Sequence, residues 1–249
     1  MQRTRPVKFV FGLPATPIVR TLIWINVCAF LAILLVSTKE FSSGISYKLM
    51  IYQLLGVQPQ RVLGDLALWQ LVSYLFLHMG WMHLIFNMLA LWWFGSDVER
   101  IMGPRKFLQY YFFTGAGAGL VSAILGMPTI GASGAIYGLL LAFGMLFPNR
   151  ILYIYFIFPL KAKYCVVLFG AIEILFLLTS GEGSSVNYSA HLAGIGFGLL
   201  WFLFRLRKMD LMSFFKELEK NRRKKKFRVI SNSPDDPSVK DPYNNRTLH

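Results

Sequence analysis

From Thr21 to Thr38 the chain runs through eighteen residues without a charged side chain. At ~1.5 Å rise per residue a helix of that length reaches ~27 Å, close to the ~30 Å hydrocarbon layer of a bilayer. Four more stretches behave alike. Leu66 to Gly95 is uncharged; Phe107 to Asn149 is uncharged, too long for one crossing and interrupted at Gly126-Met127-Pro128-Thr129; Tyr164 to Ser180 carries only Glu173; Gly183 to Phe204 carries no charge. The expectation is an all-α polytopic membrane protein with six spans. Composition agrees, since 55% hydrophobic and 15% charged residues with a mean hydropathy of +0.50 lie outside the range of soluble domains.

Lys and Arg in short loops set the expected orientation. Arg3, Arg5, Lys8 and Arg20, then Arg100, Arg105 and Lys106, then Arg150, Lys161 and Lys163, and finally the basic C-terminal tail all fall on one side. That side is expected to be the cytoplasm, with both termini on it, and the form suggests a bacterial plasma (inner) membrane. The loops around Pro128 and from Gly181 to Tyr188 have no Lys or Arg and suit the outer face. The first loop carries Lys39, Lys48 and Arg61, which its length permits.

The formal charge of +14 invites a nucleic-acid reading, but thirteen of the twenty-six basic residues lie at or beyond Arg205, next to the last span. Such juxtamembrane clusters meet anionic lipid head groups, so lipid is the expected partner and nucleic acid is not. Beyond Arg205, Leu211, Met212, Phe214, Phe215 and Leu218 interleave with Lys208, Lys216 and Lys220, an amphipathic surface-helix pattern. Residues 231–249 read as disordered. The first apolar run exceeds a signal-peptide core of ~7 to 15 residues and lacks a small-x-small cleavage site, so it is kept as a span. Phe41 to Ala67 is too apolar for a solvated loop and reads as interfacial on the outer face. Cys28 and Cys165 both fall inside spans and are read as apolar packing without a disulfide.

Small residues at spacing four form ridges that let membrane helices approach closely. Gly115, Gly119 and Ser122 with Gly126 make one on the third span; Ser133, Gly134, Tyr137, Gly138 and Ala142 make another on the fourth; Ala190, Gly194 and Gly198 make a third on the sixth. Two of these ridges carry a reactive residue at the outer end, Ser133 and His191. On the second span His83 and Asn87 are four apart, about 40° from one another on a helix, whereas His78 is about 140° away from His83 and points elsewhere.

A ruler connects them. His83 precedes the inner end of its span at Gly95 by twelve residues, Ser133 precedes Phe147 by fourteen and His191 precedes Phe204 by thirteen. The heights above the inner boundary are ~18, ~21 and ~20 Å, one level roughly 10 Å below the outer surface. Polar groups at that depth are expensive unless they face one another or a wet cavity.

One cavity holding a serine, two histidines and an asparagine suits acyl transfer to water. Serine needs a base to take its proton, and His191 is at the right depth. The developing oxyanion needs donors, which His83, Asn87 and the backbone N–H of Ser133 at a helix start can supply. A serine opening a helix is most often only an N-cap; the shared level argues against that reading here. No acid falls at this level on the three spans, so a Ser133/His191 dyad without a third member is expected, and Glu173 is read mainly as a structural hydrogen-bonding residue between helices. A soluble-type nucleophile elbow is excluded because position 135 is Ala rather than Gly. A zinc site on His78, His83 and His191 is the rival chemistry, weakened by their divergence and by the lack of an H-E-x-x-H motif, so no metal and no cofactor is expected. A transport path is disfavoured because no repeat relates the two halves.

Gly131-Ala132-Ser133-Gly134 resembles the G-x-S-G motif of the rhomboid intramembrane serine proteases. Ala190-His191-Leu192-Ala193-Gly194-Ile195-Gly196-Phe197-Gly198 resembles their A-H-x-x-G-x-x-x-G motif, and His83-Leu84-Ile85-Phe86-Asn87 their H-x-x-x-N motif. The resemblance covers Ile18 to Phe204 and keeps the family order. It implies a six-helix fold with Ser133 as nucleophile, His191 as base and then acid, and His83, Asn87 and the Ser133 backbone as oxyanion hole. It also implies Tyr137 packed on the catalytic histidine, Gly131 in the nucleophile motif, and Gly194 as the glycine that lets the sixth span lie against the fourth. The implied substrates are single-span transmembrane proteins cut near the outer end of their helices. Trp69-Gln70 departs from the Trp-Arg often found in the family's first loop. The expected organisation is an N-terminal cytoplasmic segment (residues 1–17), a six-span protease domain (18–204), a basic amphipathic juxtamembrane segment (205–230) and a disordered tail (231–249). The alternative is a catalytically silent relative that binds membrane helices, against which the intact Ser133/His191 pair argues.

Overall fold

The structure is a computed structural model that describes residues 14–36, 46–154, 157–179 and 186–208. The expectations for residues 209–249, and for most of the N-terminal segment, lie outside the described residues. The spans and the site belong to one compact unit that ends at Arg205.

Helices dominate it. α1 spans Pro17–Val36; α2 (Tyr47–Leu55) and α3 (Pro59–Leu63) lie in the first loop; α4 (Gln70–Ser73) passes into a 3₁₀ turn at Tyr74–Phe76. α5 (Trp81–Ala90), a π-turn (Leu91–Gly95) and α6 (Ser96–Met102) run on without leaving helical backbone, and α7 covers Pro104–Ile124. α8 is Ser133–Leu146, α9 is Ala162–Thr179 and α10 is Tyr188–Lys208. Two of these, α1 and α9, are each long and apolar enough to cross a bilayer alone. Exposed Trp24, Leu35, Phe176 and Leu178 on them are natural lipid-facing residues for a multi-pass membrane protein.

α7 and α8 form the centre. Most of α8 and half of α7 are buried, whereas α9 buries only Ala162, Cys165 and Glu173. The glycine ridges explain the close packing: a Cβ on Gly134 would lie 2.5 Å from the Ala118 Cβ, and one on Gly138 would lie 2.7 Å from the Thr114 Cβ. Aromatic hydroxyls add to this packing: Tyr110 of α7 donates to the Gly138 carbonyl of α8, and Tyr74 of the 3₁₀ turn to the Gly115 carbonyl of α7, each at 2.7 Å.

Two expectations need correction. The uncharged run Leu66 to Gly95 is not one continuous helix: α4 with its 3₁₀ turn is bent by 101° from the helix that starts at Trp81. The break falls at Leu77 to Gly80, where Leu77 and Gly80 are extended, so absence of charge does not mark a continuous helix here. The segment between the fourth and fifth spans is also not a plain loop, because Ile151–Ile154 (β1) pairs antiparallel with Phe158–Lys161 (β2). Its run of Ile, Leu, Tyr and Ile has the β-branched and aromatic character that favours a strand.

The first loop is tied down where the chain departs from the Trp-Arg pattern. Buried Gln70 accepts from the Gln58 N–H at 2.9 Å and donates to the Gln53 and Leu54 carbonyls at 3.0 and 3.1 Å. Trp69 Nε1 also donates to the Leu54 carbonyl. An amide offers an acceptor and donors together, and here it uses both to hold α2 and α3. Val57 and Thr129 then exchange two backbone hydrogen bonds, which fastens this loop to the chain entering α8.

Candidate active site

Ser133 is the first residue of α8, and the N-cap position is Ala132, without a side-chain cap bond. The serine hydroxyl is therefore not spent on capping. Gly131, just before it, has φ +112°, a conformation that strains any other residue. Its N–H donates to the Tyr74 carbonyl at 2.9 Å, which fixes the turn. A Cβ there would lie 2.7 Å from the His83 ring, so the glycine also makes room for that imidazole.

His191 sits on the first turn of α10. Asn187 caps this helix by accepting the Ala190 N–H at 3.0 Å, while its amide donates to Ser122 and Thr129 Oγ atoms at 3.0 and 2.6 Å. Gly194, one turn on, touches α8 directly: a Cβ there would fall 1.9 Å from the Gly134 carbonyl oxygen. Only a glycine allows that approach, and it brings His191 Nε2 to 2.9 Å from Ser133 Oγ. The Tyr137 ring, one turn below the serine, stacks on the His191 imidazole with centroids 4.4 Å apart and planes 10° from parallel.

A carboxylate completes the arrangement. Glu173 of α9, buried to 5% exposure, places Oε2 2.9 Å from His191 Nδ1 and accepts a hydrogen bond from the Tyr137 hydroxyl on Oε1. The expectation that no acid stands beside the histidine does not match this geometry. A depth measured only along the three spans that carry Ser133, His191 and His83 leaves α9 out. On α9, which begins at Ala162, Glu173 stands eleven residues in, or ~16 Å from the helix start, within one helical turn of the heights expected for the other three groups. Counted from Tyr164, where the sequence places the start of the run, the height is only ~14 Å, so the acid joins the level only once the helix is seen to start at Ala162.

His83 and Asn87 share a face of α5. Asn87 Nδ2 donates to the His83 carbonyl at 2.7 Å, leaving the second amide hydrogen for another acceptor. The Met79 N–H points at His83 Nδ1, a long contact of 3.5 Å, which favours the tautomer with the proton on Nε2. His78 does not point away as the helical wheel requires. It lies in the break before α5, is fully buried, and packs edge-on against His83 with ring centroids 5.0 Å apart. No group of three metal-ligating side chains occurs among the described residues.

Ser133, His191, Tyr137 and Glu173 thus meet at one point, with Gly131 and Gly194 providing the backbone clearance and His83 lining the same turn. Comparisons with known proteins bear on the family of the chain. A family model described as the rhomboid domain matches residues 65–208. The chain is 33% identical over 135 residues to "Rhomboid protein 1, mitochondrial" of Saccharomyces cerevisiae, 51% of this chain and 38% of that protein. It is 29% identical over 144 residues to "Rhomboid protease GluP" of Bacillus subtilis, 56% of this chain and 26% of that one. It is 29% identical over 150 residues to "Rhomboid protease GlpG" of Haemophilus influenzae, 59% of this chain and 76% of that protein. The aligned stretches thus span well under half the length of the first two relatives. The matched domain covers more than half of the chain and contains every residue of the site just described: this protein belongs to the rhomboid family.

Proposed function

We propose that this protein is an intramembrane serine endopeptidase that cleaves transmembrane proteins near the outer end of a membrane helix. The observation that carries the reading is the 2.9 Å contact between Ser133 Oγ and His191 Nε2, a nucleophile and base within hydrogen-bond reach. Ser133 attacks the scissile carbonyl while His191 Nε2 takes the hydroxyl proton; His191 then returns it to the leaving amine, and water hydrolyses the acyl-enzyme by the reverse sequence. His83, Asn87 and the backbone N–H of Ser133 are the oxyanion donors. The first N–H groups of α8 have no acceptor within their own helix, so one is available at the point where negative charge develops. Tyr137 holds the imidazole plane, Gly131 makes room for the His83 ring, and Gly194 sets the approach of α10 to α8.

The amides of an intact substrate helix are hydrogen-bonded to their own chain, so a substrate must unwind locally before its carbonyl reaches Ser133. Around the site we assign a six-span catalytic domain over residues 18–204 in the plasma membrane, with both termini cytoplasmic. The basic segment 205–230 is assigned to anionic lipid and 231–249 to a tail, with no role for nucleic acid or a cofactor.

The test is direct. Purified protein in detergent is expected to be labelled by a fluorophosphonate at Ser133 and to cleave a model transmembrane substrate, and Ser133→Ala is expected to abolish both. Cleavage retained by Ser133→Ala overturns the assignment of the nucleophile; a wild-type protein that neither labels nor cleaves favours a silent helix-binding relative.

A further inference from the structure

We propose that Glu173 is a positioning residue for His191, so that the reacting unit is Ser133–His191–Glu173 rather than a serine and a histidine alone. The proposal rests on the serine endopeptidase reading above and extends it to a residue on a different helix. The geometry is that of an orienting acid. Glu173 uses both oxygens, Oε2 against His191 Nδ1 at 2.9 Å and Oε1 accepting from the Tyr137 hydroxyl. The Tyr137 ring lies flat on the same imidazole. One carboxylate therefore fixes the edge of the histidine and the plate that covers its face.

The chemical consequence is a choice of tautomer. A buried carboxylate is an acceptor only, so the neutral imidazole must put its proton on Nδ1 to satisfy it. The lone pair is then left on Nε2, the nitrogen 2.9 Å from Ser133 Oγ. With the proton on Nε2 instead, Nδ1 and the carboxylate would face each other as two acceptors, and the serine proton would have no base. During attack the bond from Ser133 Oγ to the carbonyl carbon forms, the hydroxyl proton passes to Nε2, and Glu173 stays ionised beside the resulting imidazolium. Among the described residues, the titratable side chains facing His191 are Glu173 from α9, Tyr137 from α8 and His83 from α5. Glu173 is the only anion of the three.

A purely structural reading of Glu173 is that it ties α9 to α8, since it is the outermost of the three buried residues of α9. That reading does not need the second oxygen on His191, and Tyr137 alone would satisfy a tether. A buried acid in an otherwise apolar helix is costly, and the histidine contact accounts for its retention at this depth.

The experiment combines a spectroscopic measurement with a kinetic one. In ¹⁵N-histidine-labelled wild-type protein in micelles, with His191 assigned by loss of its signals in His191→Gln, the resonances are expected to show the proton on Nδ1. A proton mainly on Nε2 overturns the proposal without any variant at position 173. Glu173→Gln is expected to lower kcat and the rate of fluorophosphonate labelling together by about 10² to 10³-fold with KM nearly unchanged, less than the ~10⁴ lost when a triad histidine adopts the wrong tautomer. Glu173→Asp should recover part of that loss. Labelling by Glu173→Gln at the wild-type rate, with Ser133→Ala inert, sinks the role of Glu173 while leaving the serine reading intact; cleavage by Ser133→Ala sinks the serine reading instead. Should Glu173→Gln fail to fold, Tyr137→Phe, which frees one carboxylate oxygen and keeps the histidine contact, is expected to retain the Nδ1 proton in the same spectrum; its loss there counts against the carboxylate as the group that sets the tautomer.

Discussion

Position in depth decides which side chains at the site matter. Ser133, His191 and His83 can be found from sequence because each sits a dozen or so residues from the end of an uncharged run, and helical rise turns that count into a height. Glu173 lies on α9, outside the three helices on which that ruler is laid, and its height depends on where α9 starts, which is Ala162 rather than the Tyr164 at which the apolar run begins. His78 fails for another reason: the angle assigned to it presumes a helix where the backbone is extended. The structure also separates the two oxyanion candidates. Asn87 has one amide hydrogen committed to the His83 carbonyl, whereas the His83 ring lies against Gly131 at the turn that delivers Ser133. His83→Ala is therefore expected to lower turnover by about 10² to 10³-fold, the range for loss of one oxyanion donor, and Asn87→Ala by less. Single-turnover cleavage by both variants at matched thermal stability checks this, and the reverse order would make Asn87 the principal donor.

Helix contacts arise from small residues, and these are legible in the sequence because spacing four needs no knowledge of the partner. The ridges on α7, α8 and α10 are where the helices touch. Where a helix stops inside an uncharged run is not legible, since neither the break before Trp81 nor the β1–β2 hairpin changes the hydropathy. Beside the break, the Tyr74 carbonyl accepts from the distant Gly131 N–H, and the hairpin shows itself in the pairing of Ile151–Ile154 with Phe158–Lys161. The tightest contact gives the sharpest expectation. At Gly194 a methyl would meet a backbone carbonyl oxygen at 1.9 Å, and no rotamer change relieves a clash with backbone. Gly194→Ala must therefore push α10 from α8, at a cost at or above the ~1 to 3 kcal/mol of ordinary overpacking. A lowered unfolding temperature in detergent, with fluorophosphonate labelling reduced at least tenfold, is the expected result. Wild-type labelling at wild-type stability would mean that the two helices do not depend on this contact to place His191.

At the scale of the molecule, α1 must be held to a bundle whose centre is α7 and α8, and apolar packing in lipid supplies little drive for helices to associate. In the sequence, the basic residues near Arg100 and Arg150 serve only to mark the expected cytoplasmic side, and the two acids just before Arg100, Asp97 and Glu99, form no pattern of their own. Those acids are the attachment. Glu99 of α6, buried to 4% exposure, accepts the Ile18 and Val19 N–H groups at 3.2 and 3.0 Å and the Thr16 hydroxyl. It thus caps the first turn of α1, which has no acceptor of its own, and its charge faces the positive end of the helix dipole. Asp97, two residues earlier, pairs with Arg100 at 3.0 Å and with Arg150 ahead of β1, and Arg100 donates to the Pro14 carbonyl at 2.6 Å. One short acidic turn therefore fastens the start of α1 and the entry to the hairpin to α6. Glu99→Ala leaves three donors without their acceptor, each worth about 1 to 3 kcal/mol if it stays buried. Unfolding in a rising mole fraction of SDS should begin well before that of the wild type, with Glu99→Gln intermediate because one acceptor remains. Since the site is built from α5, α8, α9 and α10, labelling of Ser133 in Glu99→Ala below the unfolding transition is expected at the wild-type rate. An unchanged SDS transition would show that α1 is held by its apolar face alone.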